Sequence, residues 1–117
     1  RVLLRRSASG RLMHAFDVLG DPVRRRILEL LAAGEMSSGE VVAVIGAEFG
    51  ISQAAVSQHL KVLKNAGLVI DMPSGKQRIY RIDPEGLAAF RAELDRFWDK
   101  TLAAYKLAVE QPPEETK

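Results

Sequence analysis

The sequence predicts a mainly helical fold with one small β-hairpin, in the order helix, helix, helix, helix, strand, strand, helix. Three observations predict it. Apolar residues recur at helical spacing between Leu12 and Leu63, in blocks opened by Asp or Ser and closed by Gly. From Leu68 to Ile82 the period changes, and two β-prone segments flank Pro73-Ser74-Gly75-Lys76. A second Asp-Pro pair, at 83–84, then opens a long striped segment that runs until Pro112-Pro113.

In the first helix, over residues 10–19, Leu12, Ala15, Phe16 and Leu19 form the stripe and Gly20 is the stop. Asp21 caps the second helix and Pro22 takes its first position, where a missing N–H does no harm. Val23, Ile27, Leu28, Leu30 and Leu31 supply its buried face, and Gly34 closes it. Ser37 with Glu40 fits a reciprocal capping pair for a third helix through Val41, Val44, Ile45 and Phe49. Gly46 weakens that helix unless another backbone approaches there. Ser52 caps a fourth helix carrying Val56, Leu60 and Leu63, which Gly67 ends. The hairpin follows with a four-residue tip at 73–76, and the last helix runs from Pro84 to about Val109. The folded unit is expected over residues 10–109, with residues 1–9 a flexible or added N-terminus and residues 110–117 a disordered tail.

With 47% hydrophobic and 27% charged residues, the 117-residue chain has the balance of one globular domain rather than a disordered one. No apolar run reaches the length of a membrane span and no signal peptide is legible, so a cytoplasmic protein is expected, with no membrane partner. The absence of cysteine excludes disulfides, thiolate catalysis and thiolate metal ligation together. Net charge is only +2, but basic residues gather early and in the middle while acidic ones gather toward the end.

Ile45, Gly46, Phe49, Gly50, Ile51, Val56 and Leu60 have the spacing of a helix-turn-helix, with small residues where two helices cross and apolar ones fixing their angle. The outer face of its second helix then carries Ser52, Gln53, Ala54, Ser57, Gln58 and Lys61, with His59 at the edge. Gln can pair with adenine, Ser can meet base edges or phosphate, and Ala54 can touch a thymine methyl. Directly after it, Lys76, Gln77 and Arg78 at a glycine tip form a thin basic projection suited to a flanking groove or phosphate run. Together these make a winged helix-turn-helix with double-stranded DNA as its partner.

The segments FDVLGDPVRRRILELL (16–31), ISQAAVSQHLKVLKNAGLV (51–69) and GKQRIYRIDPEGL (75–87) resemble the ArsR/SmtB-type winged-helix repressors over about residues 12–105. The resemblance implies a dimeric repressor of short palindromic operators, with Gln53, Ala54, Ser57 and Gln58 in the major groove and Lys76 and Arg78 as wing contacts. The stretch from Gly39 to Ser52 is longer than in many relatives. The metal-sensing members carry a cysteine box or Asp/His ligands on the last helix, and this sequence has neither. The signal is then a small-molecule inducer, a partner protein or no direct ligand at all.

His14 and His59 lie on different helices and neither has an i+3 or i+4 partner that would complete a plausible face of ligands, and Asp95 with Asp99 sits among Arg91, Arg96 and Lys100, so a solvated charge ladder is expected rather than a metal site. No cofactor is expected, and no nucleophile with a base or phosphate-cradling loop marks an enzyme. On the last helix Leu87, Phe90, Leu94 and Phe97 continue into Trp98, Leu102, Tyr105 and Val109, over about 26 residues or roughly 39 Å. That apolar length exceeds the local core, so a homodimer is expected, with Leu12, Phe16, Phe97, Trp98, Leu102 and Tyr105 at the interface. The competing function is a winged helix that serves as a protein-interaction module without sequence-specific DNA binding.

Overall fold

The computed structural model describes residues 16–111. Leu12, His14, the earlier part of the first expected helix, the stretch before it and the tail from Pro112 lie outside them. A helical segment at residues 16–19 leads through Gly20 into α1 (Pro22–Ala32), β1 (Met36–Ser37), α2 (Ser38–Phe49), α3 (Gln53–Asn65), β2 (Val69–Ser74), β3 (Gln77–Ile82) and α4 (Pro84–Glu110).

The helices start at the residues whose side chains can satisfy their free N–H groups. Asp21 accepts from the Val23 N–H at 2.8 Å and the Arg24 N–H at 3.3 Å. Ser37 and Glu40 exchange bonds, Glu40 N–H donating to Ser37 Oγ at 3.1 Å and Ser37 N–H to Glu40 Oε1 at 2.8 Å. Ser52 Oγ accepts from the Ala55 N–H at 3.1 Å, and Asp83 accepts from Glu85 and Gly86. At the far end of α3 the Gly67 N–H reaches the Lys64 carbonyl and the Leu68 N–H reaches that of Leu63, each at 3.0 Å. This Schellman ending brings two fully buried side chains, Leu63 and Leu68, together.

Val23, Ile27 and Leu31 of α1, Val41 and Ile45 of α2, and Val56, Leu60 and Leu63 of α3 form the core with Leu68 and Val69. Leu28 and Leu30 pack against it, only partly buried. In the helical segment before α1 the buried residue is Val18, fully enclosed, whereas Phe16 of the expected stripe is 38% exposed. Of the expected stripe only Phe16 and Leu19 lie among the described residues, Phe16 exposed and Leu19 half-buried, and it is Val18 between them that meets the core.

Three features differ from the sequence reading. The sheet has three strands in the order β1-β3-β2, because Met36 and Ser37 pair antiparallel with Tyr80 and Ile79. The hairpin pairs Pro73 with Arg78 and Ser74 with Gln77, so its tip is the two residues Gly75-Lys76 rather than four. Gly75 has φ 63°, as the first central residue of a tight hairpin turn requires, and Pro73 is accommodated because β2 is an edge strand. Finally, α4 includes Glu110, which the sequence assigned to the tail.

α4 leaves the hairpin through a bond from the Asp83 N–H to the Leu68 carbonyl at 2.9 Å. Gly86 lies against the Gly67 carbonyl so closely that a methyl group there would fall on it. None of the residues of α4 is buried, although Phe90 packs against the core and the Phe97 ring meets that of Phe16 edge-on, centroids 5.3 Å apart.

Candidate nucleic-acid interface

The turn between α2 and α3 is Gly50-Ile51-Ser52, and across it the chain axis bends by 114°. Gly50 ends α2 in the left-handed conformation, φ 64°, with its N–H on the Gly46 carbonyl at 2.8 Å. A Cβ at Gly46 would stand 3.3 Å from the Ile51 carbonyl, the close backbone approach expected there. Ile51, expected as an anchor of the second helix, packs against the core, whereas Phe49, the apolar position before the turn, is 38% exposed. Ile45, Ile51 and Val56 already fill the inside of the crossing, and Phe49 is left on its rim.

With Val56, Leu60 and Leu63 facing inward, the opposite side of α3 presents Gln53, Ala54, Ser57, Gln58 and Lys61 to solvent, and Ser52 is exposed at its cap. His59 is half-buried and turned toward α1, where Arg24 Nη1 lies 3.3 Å from its Nδ1. Burial raises the Asp21 carboxyl, but the Val23 and Arg24 N–H groups, together with the charges of His59 and Arg24, outweigh it and hold the group below the usual carboxylate range.

In the wing, Lys76, Gln77 and Arg78 are all exposed. They are not equivalent. Lys76 and, on α3, Lys61 make no ion pair among the described residues, whereas Arg78 Nε donates to Asp71 Oδ2 at 2.6 Å. Asp71 Oδ1 also meets Lys64 Nζ at 3.0 Å. The Arg78 guanidinium, and after it the Lys64 ammonium, hold the Asp71 carboxyl below the usual range despite its burial.

The basic run at 24–26 adds nothing to this surface. Arg24 donates to the Val18 and Asp17 carbonyls, each at 3.0 Å, and Arg25 to that of Leu19 at 2.6 Å, closing the helical segment before α1. Arg26 pairs with Glu48 and Glu29. On α4 the expected charge ladder is present in part, as an exposed Arg91–Asp95 pair at 3.5 Å. Of the expected interface residues, Phe16 and Phe97 stack edge-on, and Trp98, Leu102 and Tyr105 are 52, 59 and 67% exposed. Leu12 lies outside the described residues.

The family described as bacterial regulatory protein, arsR family, matches residues 21–71, from the α1 cap into the wing. The HTH-type transcriptional regulator Rv2034 of Mycobacterium tuberculosis is 45% identical over 102 residues, covering 87% of this chain and 92% of its own. The chain belongs to the arsR family. The transcriptional repressor SdpR of Bacillus subtilis is 36% identical over 70 residues, 60% of this chain and 73% of its own. A crystal structure of a possible transcriptional regulator for arsenical resistance superposes with a TM-score of 0.63 at 41% identity, covering 77% of this chain and 94% of that one. The arsR-family chain is thus a winged helix-turn-helix transcriptional regulator and not an enzyme. Among the described residues no single helix is long and apolar enough to cross a membrane.

Three contacts escaped the sequence. The Arg24–His59 contact joins residues 35 apart, and the β1–β3 pairing joins residues more distant still. The Asp71 clamp needs the hairpin register, since only the pairing of Asp71 with Tyr80 puts its side chain diagonal to Arg78 on one face.

Proposed function

We propose that this regulator is a cytoplasmic, dimeric repressor that reads a short palindromic operator, its folded unit spanning residues 10–110. Gln53, Ala54, Ser57 and Gln58 enter the major groove, Ser52 and Lys61 lie beside them with His59 at the edge, and Lys76, Gln77 and Arg78 follow the flanking backbone. The observation that carries this reading is the solvent-facing polar side of α3, backed by a fully apolar inner side and flanked by the basic wing tip. Glutamines and serines on the exposed side of a rigidly seated helix are the groups that can read base edges. The dimer forms through Leu12, Phe16, Phe97, Trp98, Leu102 and Tyr105. Its support is the outer face of α4, where Trp98, Leu102, Tyr105 and Val109 recur at helical spacing and stay exposed in the single chain.

Binding to duplex DNA, followed across a salt series, tests the reading. Gln53→Ala and Ser57→Ala should each lower operator affinity by about 1–3 kcal/mol and relax preference at defined base pairs. Lys76→Ala should weaken binding on all sequences and reduce the salt slope by about one. Equal loss on every sequence for the α3 variants would place Gln53 and Ser57 on the backbone instead. Indifference of the wild type to DNA at low salt would favour the interaction-module reading.

A further inference from the structure

Asp71 is the only acidic residue between Val69 and Ile82, on a hairpin whose other charged residues are Lys76, Arg78 and Arg81. A carboxylate beside a phosphate-facing surface opposes binding unless it organises the cations around it. Here its side chain is 5% exposed, and its two oxygens are divided between two elements: Oδ1 meets Lys64 in the last turn of α3 and Oδ2 meets Arg78 on β3. Tyr80 stands directly opposite it across the sheet. Arg78 remains 48% exposed, and only its Nε–H is committed among the described residues, leaving its terminal amino groups for an outside acceptor. A long side chain fixed at one edge loses less freedom when a phosphate takes the other.

We propose that Asp71 is a positioning residue for DNA recognition: it holds Arg78 in its phosphate-binding orientation and, through Lys64, fixes the wing against the end of the recognition helix. This rests on the reading of α3 and the wing as the DNA surface. Arg78 is then a contact whose worth depends on Asp71, while Lys76 acts as an untethered charge. Removing the acid has two opposite effects. It takes a negative charge from the surface, which favours any DNA, and it releases the wing, which disfavours the one sequence that needs the wing in register.

The test uses two duplexes of equal length, one enriched by the wild-type protein from random DNA and one unrelated. Asp71→Asn should reduce the ratio of the two affinities by about tenfold, with binding to the unrelated duplex unchanged or tighter. The loss should largely vanish when Arg78→Ala is already present, since there is then no guanidinium to position. Arg78→Lys keeps the charge without the Nε donor and leaves Asp71 paired, so it should lose operator affinity even if Asp71→Asn folds poorly. The proposal is overturned if Asp71→Asn tightens both duplexes by one factor, if its effect is the same with and without Arg78, or if Arg78→Lys binds as the wild type does. A wild-type protein that enriches no duplex overturns the DNA-binding reading instead.

Discussion

At Arg24 one guanidinium donates to two carbonyls of the segment before α1 and meets His59 on α3, so a single side chain joins three elements. Arg24→Ala leaves those carbonyls without a donor and should destabilise the fold by about 1–3 kcal/mol in a denaturant melt, whereas a change within a few tenths would show that water replaces it freely. The acids bring a pH dependence of definite sign. Asp21, Glu48 and Asp71 all ionise more readily in the folded chain, Glu48 because of its bonds to Arg26. Such groups contribute their stability fully above the unfolded carboxylate range near 4, and it is lost as pH falls through their lowered folded values. Stability should therefore be level above about pH 5 and fall below about pH 4, less steeply in Asp71→Asn. Stability that rises on acidification across that range would contradict the assignment.

Among elements, the joint between the hairpin and α4 is the most demanding. Gly86 in the first turn of α4 touches the Gly67 carbonyl, so Gly86→Ala must push the helix outward. A loss of about 1–3 kcal/mol is expected, read by thermal melting, and an unchanged midpoint would mean that the joint yields without cost. Nothing local in the sequence marks Gly86, because the approach depends on how two distant glycines pack. What was legible is what is local: the caps at Asp21, Ser37, Ser52 and Asp83, the Gly67 stop, and the inward stripe of α3. A two-residue strand such as Met36-Ser37 has no period to detect, and its existence depends on the position of β3. The same holds at the candidate site. The exposed face of α3 follows from helical spacing, but the partners of Arg78 and His59 follow only from register and packing.

At the scale of the molecule, α4 is 27 residues long, about 40 Å, and buries none of them in the single chain. Trp98→Ala with Leu102→Ala should leave a folded protein that sediments as a monomer and binds its operator far more weakly than any single base-contact variant, since two half-sites act as linked binding events. A dimer that persists in that variant would move the interface elsewhere. Two copies with recognition helices about 34–36 Å apart would read half-sites one helical turn apart. Enrichment of bound fragments from a random-sequence duplex pool tests sequence-specific, dimeric reading most directly. The expected result is a short palindrome with half-sites at that spacing, lost when Gln53 and Ser57 are replaced by alanine; a pool left without sequence preference by a folded wild-type protein would contradict it.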